Sequence, residues 1–450
     1  MAEIISPPPP VPGFKLRQVL GWAAAFILLT AAWLLLLAVT QPIRPNFNGV
    51  AAVLTTLAPP PLMTLLAWIF MRAPQPSGLA ANVLNDSAQA ATGSPGAPIY
   101  SALRFRIAAH SALTPFGNAF ETIEGTQGKK KVFQVDQTLR IPGGFPVHAA
   151  MVANMPLEQV GYPSGTRSMP ARIAAMLAYL LNELHQQQDH IASVTDMPCV
   201  VWLLTPPLLE YADTQKAFIA AWSNSPWREM QYELHLLPGE PGAGYALIEA
   251  LQRDIEQSRA PLALLLAADS MLERERLTPL IELEQVFSDA AANGFIPGEG
   301  GAGLLLLHPE HSPVHMLHDA CRLGPAVRIA GAPQKNRRDA ELASLPTALS
   351  AAMVAQGADA SSIGAVVSAA DHRVAGMVAA TAAMTRHVPE LNPLDDRISP
   401  MQYCGWFGSA TDLVHLALGA ELATLQTMTV AVLSSSADKA DALLILPPPA

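Results

Sequence analysis

The sequence predicts a layered α/β domain carried behind two membrane-spanning helices. Three features carry that expectation: two long uncharged apolar stretches near the N-terminus, later strands that are apolar throughout, and a regular alternation of those strands with helical periodicity. The whole-chain composition blends these regions, with apolar residues at 50% and charged residues at only 14% of 450. The remainder of the chain, beyond the apolar stretches, is long enough for one large core or two fused halves. A net charge of −10 argues against a general nucleic-acid binder, because phosphate neutralisation needs clustered Lys and Arg. The one basic run, Lys129–Lys131, reads as a solvated loop. Cys199, Cys321 and Cys404 show no C-x-x-C spacing and supply no disulfide framework, which fits a reducing compartment.

From Gln18 to Ile43 the chain carries no charge, and VLGWAAAFILLTAAWLLLLAV is long enough as a helix to cross a hydrocarbon layer of about 30 Å. A second uncharged stretch runs from Pro45 to Met71, interrupted by Pro59, Pro60 and Pro61. Three prolines remove backbone donors, so this reads as a broken helix that still spans. Lys15 and Arg17 precede the first stretch and Arg72, Arg104 and Arg106 follow the second, against Arg44 alone between them. The positive-inside bias places both termini in the cytoplasm. The expected organisation is a short Pro-rich cytoplasmic tail (1–17), a two-span hairpin (18–72), a flexible Pro/Gly/Ser/Ala-rich linker (73–100) and a folded domain (101–447).

Within that domain LRFRIAAHSAL reads as a strand and SMPARIAAMLAYLLNELHQQ as a helix with an apolar stripe through Ile173, Met176, Leu177, Leu180 and Leu181. CVVWLLT comes next as a buried strand, YALIEALQRDIEQ as a helix, and PLALLLAAD and GAGLLLLH as strands. Later come the helix LPTALSAAMVAQG, the strand SSIGAVVSAA, the helix DLVHLALGAELATL and the strands MTVAVLSSS and KADALLIL. Strands that are apolar throughout are covered on both faces. Similar orders of element occur in both halves.

At five places these segments resemble the β-ketoacyl synthases of the thiolase superfamily. They are RIAAHSALTPFGNAFETIEG, APLALLLAADS, GFIPGEGGAGLLLLHPEHS, ALSAAMVAQGADASSIGAVVSAA and YCGWFGSATDLVHLALGAEL. The resemblance is collinear and implies a thiolase-like fold of two αβαβα halves. In that family a cysteine at a helix N-terminus is the nucleophile, its pKa lowered by the helix dipole, and two histidines stabilise a developing oxyanion, with a lysine supporting the second. The resemblance puts the nucleophile position in Pro241–Gly244, the first histidine at Ala370, the second at Gly405 and the lysine at Pro400. The family's C-terminal GFGG loop falls on SSSADKAD.

With those side chains replaced, the resemblance implies a pseudo-enzyme without catalytic activity or cofactor, and a relocated pair formed by His372 and Cys404 is the one catalytic alternative. His308, His311, His315 and His318, near Glu310, Asp319 and Cys321, have spacings that suggest a metal, but Pro309 and Pro313 break any continuous helix there. The expectation is therefore no metal. Glu299 in the GEGGAG turn reads as structural, bonding nearby backbone N–H groups, and Asp412 with His415 as a structural i, i+3 pair. Three functions remain open: a membrane-anchored, non-catalytic scaffold or protein-interaction subunit, a module sensing an acyl chain or acyl carrier protein, and an acyltransferase or condensing enzyme with a rewired site. The resemblance also implies a homodimer, and a role accessory to a bacterial envelope complex such as type VI secretion, with the C-terminal domain on the cytoplasmic side of the inner membrane.

Overall fold

The computed structural model describes residues 98–449 except 102–104, 142–143, 188–198, 208, 240–261, 289–290, 311, 313–316, 331–336 and 436–438. The chain separates into two units, Met1–Asp86 and Ser87–Ala450. The expected tail and membrane hairpin lie outside the described residues, and among the described residues no helix is long and apolar enough to cross a membrane. Most of the expected linker also lies outside them. Its last residues depart from the expectation: Ile99 and Tyr100 open a strand, β1 (Ile99–Ser101), because the backbone there pairs antiparallel with the segment 326–328.

The chain continues through β2 (Arg106–Leu113), α1 (Ala119–Gln127), a separate hairpin of β3 (Gln134–Arg140) and β4 (Pro146–Ala149), α2 (Met169–Gln186), β5 (Cys199–Thr205) and α3 (Tyr211–Ser223). β6 (Tyr232–Pro238), β7 (Leu262–Ser270), α4 (Arg274–Glu282) and β8 (Glu299–Leu307) complete a first series. After β9 (Cys321–Leu323) a second series holds β10 (Ala326–Ala330), α5 (Arg337–Gln356), β11 (Ile363–Ser368), α6 (Val374–His387), β12 (Arg397–Ile398), α7 (Met401–Cys404), α8 (Thr411–Gln426), β13 (Thr429–Ser435) and β14 (Lys439–Leu446).

The two series repeat one pairing scheme. In the first, β6 runs parallel to β5 and β5 parallel to β7, while β8 is antiparallel to both β7 and β2. In the second, β12 runs parallel to β11 and β11 parallel to β13, while β14 is antiparallel to both β13 and β10. Parallel neighbours need a crossover, and α3 and α6 occupy equivalent crossovers. β9 pairs with β14 and with β2, joining the halves into one sheet of twelve strands.

β5, β7 and β8 are buried at every position, as strands covered on both faces must be. α2 and α3 pack on one face of the first half and α5 and α6 on one face of the second. α8 lies between the halves, with Leu413, Leu416 and Leu418 in a core shared by β7, β8, β13 and β14. The α2 stripe is buried as the periodicity predicts, and Trp227 Nε1 donates to the Leu181 carbonyl across it at 2.8 Å.

Candidate functional site

Open α/β sheets gather polar groups beyond the carboxyl ends of their parallel strands, and the first half does so with charge. Asp269 and Ser270 end β7, Glu299 begins β8, and all three are fully buried. A buried carboxylate needs both a countercharge and hydrogen bonds. Arg172 of α2 grips Glu299 through both Nε (2.5 Å) and Nη2, while Ser270 Oγ (2.9 Å) and the Val152 N–H (2.7 Å) also donate to it. Glu299 is thus structural as expected, but its partners come from distant segments rather than from its own turn. Arg276 of α4 pairs with Asp269 through Nη1 and Nη2, and Ser409 donates to Asp269 Oδ2 from both N–H (2.7 Å) and Oγ (3.0 Å). A Cβ on Gly408 would meet Asp269 Oδ2 at 2.1 Å, and the φ of +58° there suits glycine. The Ser409 side chain also packs against Gly239, the last described residue before 240–261.

The positions implied for reacting groups are packed rather than open. Ala370 is buried, and its N–H donates to Ser368 Oγ at 3.1 Å. Gly405 has φ +77°, and a Cβ there would meet the Ile296 carbonyl at 2.9 Å, so the backbone at this position is built for glycine. Pro400 caps α7 and its carbonyl accepts from the Cys404 thiol at 3.0 Å. The nucleophile position, Pro241–Gly244, lies outside the described residues.

Cys404 is fully buried, and burial pushes its thiol well above the ordinary range, away from the thiolate a nucleophile needs. His372 is half-buried with its ring edge-on to Phe287 at 5.0 Å, and burial pulls its pKa down. The two side chains have different partners, and no hydrogen bond joins them. Cys199 and Cys321 are likewise free and buried.

His308 is buried edge-on to Phe105 at 5.8 Å, with Nδ1 accepting from the Glu310 N–H, whereas His318 is exposed beside Asp319. His311 and His315 lie outside the described residues, among which no three metal-ligating side chains come together. The expected Asp412–His415 pair does not form. Asp412 accepts from Ser434 Oγ at 2.8 Å across the layer, while both His415 nitrogens are buried without a partner and burial pulls that imidazole down to about 3.

A pocket of about 300 Å³ opens between the Thr114–Asn118 loop and the segment Val152–Pro156, with Tyr179 and Glu121 on its wall. Burial, together with Glu183 and Glu121, pushes the Tyr179 phenol up to about 12. This feature and the Asp269/Glu299 network escaped the sequence reading. The signal for the network was present in isolated carboxylates at the ends of apolar strands, Asp269 closing β7 and Glu299 opening β8, and in Arg172 inside an apolar helix stripe.

Solved structures share this architecture. The ishigamide ketosynthase/chain length factor superposes with a TM-score of 0.52 at 18% identity, covering 77% of this chain and 100% of that one. A β-ketoacyl synthase from Burkholderia phymatum STM815 gives 0.52 at 13% identity over 77% and 99%. A type II polyketide ketosynthase solved with its acyl-carrier protein and bound to the hexaketide gives 0.55 at 13% identity over 77% and 100%. No protein-family model and no curated protein matches the chain.

The domain therefore has a thiolase-like, ketosynthase-type fold. The expectation that the chain is not an enzyme is corrected by these likenesses, which are to condensing enzymes and their chain length factors.

Proposed function

We propose that this chain is a membrane-anchored subunit of ketosynthase fold that works by assembling with partner chains, first of all with a second copy of itself. The observation that carries this reading is β6. It ends the sheet, it pairs only with β5 among the described residues, and its seven residues present Leu234, Leu236 and Leu237 only partly buried. A long apolar edge strand offers unpaired backbone groups to another strand, and proteins that stay monomeric blunt such edges. The uncharged segments 18–43 and 45–71 supply the tether, and a bacterial envelope complex such as a type VI secretion machine supplies the setting. Sedimentation of the full chain in detergent tests the reading: a dimer is expected, converted to monomer by Leu236→Lys, and a monomeric parent overturns it.

A second reading has the domain bind an acyl carrier protein. The likeness to a ketosynthase solved with its acyl-carrier protein, over that chain's whole length, favours it. Titration of the detergent-solubilised chain with holo-acyl carrier protein is expected to shift carrier resonances, and unshifted spectra remove this reading.

A further inference from the structure

The backbone of β6 dictates how two copies of it meet. The Gln231 carbonyl accepts from the Cys199 N–H at 3.4 Å, and the Gly239 N–H donates to the Thr205 carbonyl at 2.7 Å, so both face β5. Backbone groups alternate along a strand. Residues 233, 235 and 237 therefore also face β5, and Tyr232, Leu234, Leu236 and Pro238 direct theirs outward. Antiparallel pairing of all seven residues with a second copy sets 232 opposite 238 and brings His235 to the twofold axis. In that register Leu234 and Leu236 exchange both hydrogen bonds across the interface, and the Tyr232 N–H meets the Pro238 carbonyl. Pro238 has no N–H to give, and it sits at the strand end where the loss is smallest. His235 then faces its own counterpart in a narrow, non-hydrogen-bonded pair, where the Cα atoms lie about 4.5 Å apart.

His235 at that axis, and Glu233 two residues before it, are side chains of metal-ligating type. His235 Nε2 already lies 3.3 Å from Glu233 Oε1, with side-chain exposures of 34% and 69%. The imidazole is held by stacking on Trp202 at 5.2 Å and 25°. Glu233 and His235 share one sheet face, and in the paired register each reaches its diagonal neighbour in the second copy, about 7–8 Å away. Two imidazole nitrogens and two carboxylate oxygens thus converge, the donor set and number of a tetrahedral zinc site. One chain supplies only half the set, one imidazole and one carboxylate.

The geometry points to a divalent-metal site, made by His235 and Glu233 of two copies, that is complete only when two β6 strands pair. This rests on the edge pairing proposed above. It is tested on the full chain in detergent, stripped with EDTA and sedimented over a range of concentrations with and without zinc chloride. Zinc is expected to lower the dimer dissociation constant by about tenfold or more, with one zinc bound per two chains. His235→Gln and Glu233→Gln are expected to lose the zinc increment while keeping metal-free pairing and an unchanged circular dichroism spectrum. A dimer indifferent to zinc, or one whose zinc response survives His235→Gln, overturns the metal site and leaves the edge pairing standing. A chain monomeric at every concentration, with or without zinc, overturns both.

Discussion

The two halves share a strand scheme and differ at their edges. β6 closes the first half with seven residues, several half-exposed and apolar, whereas its counterpart β12 closes the second with only Arg397 and Ile398, both buried. Arg397 Nη1 donates to the Met377 carbonyl at 3.2 Å and to Thr381 Oγ1 at 2.9 Å, clamping the short edge beneath α6. A short, charged, covered strand is a blunted edge, and a longer one with partly exposed leucines is an invitation. Identical topology therefore does not give identical surfaces, and the half with the open edge is also the one that holds the doubly paired carboxylates.

That internal contrast is the easiest to break. Arg172→Ala leaves Glu299 buried with only Ser270 and the Val152 N–H as donors, and a loss of about 3–5 kcal/mol is expected in denaturant unfolding. The matching change in the second half, Arg328→Ala, is expected to cost less, because Asp441, already pushed up to about 6, takes up a proton when the guanidinium is removed. Arg328 is 23% exposed, and its partner Asp441 accepts a proton more readily. Equal losses would mean the halves hold their charges alike.

The second half carries polar groups that burial leaves poorly served. Asp441 is pushed up to about 6, by burial first and with Arg328 offsetting only part of it. A carboxyl group raised in the folded state binds its proton there when the unfolded chain does not. Its contribution is thus present below about pH 4 and lost as pH rises through 6, on the order of 2–3 kcal/mol. Asp441→Asn is expected to remove that slope between pH 4 and 7 in urea titrations, and an unchanged slope contradicts the assignment.

His415 slopes the other way. Its imidazole, pulled down to about 3, is neutral in the folded state, so its contribution is full above the ordinary value of 6.5 and is lost as pH falls from there toward 3. Two buried nitrogens without partners cost stability even at neutral pH. His415→Leu is expected to raise stability at pH 7 by about 1–2 kcal/mol and to relieve the acid-side loss, both read from denaturant midpoints at several pH values. A destabilised variant would mean the nitrogens are served after all.

The central strands were legible because runs such as CVVWLLT, LALLLAA and GAGLLLL are unbrokenly apolar, and α2 was legible by its stripe, whereas α3, α4, α6 and the β3–β4 hairpin were not read. β6 was missed for the opposite reason. YELHLLP carries a glutamate, a histidine and a proline, the marks of a strand with one free side, and these blur the alternation that identifies strands. The short β9, β10 and β12 hold too few residues to show any period. At the candidate site the carboxylates were visible, and Arg276 lies only seven residues from Asp269, but the arginine that holds Glu299 is distant in sequence, at 172 against 299, and only the fold brings that pair together.

The smallest contrast lies at two helix starts. Asn118 caps α1 with a full capping box, its side chain accepting from the Glu121 N–H at 2.9 Å while Glu121 Oε2 accepts from the Asn118 N–H at 2.9 Å. This steadies the loop in which Thr114 Oγ1 bonds Thr122 Oγ1 at 2.8 Å. α6 begins instead at Arg373, which supplies no side-chain cap and whose own N–H is taken by Asp371 Oδ1 at 2.9 Å. Asn118→Ala is expected to cost about 1 kcal/mol, and Arg373→Asn to gain about 0.5 kcal/mol from the new cap, set against the loss of its part-buried pair with Asp371. Thermal midpoints moving in opposite directions would show that the first half was finished at a helix start where the second was not. Midpoints moving together would show that α6 draws on contacts other than its cap.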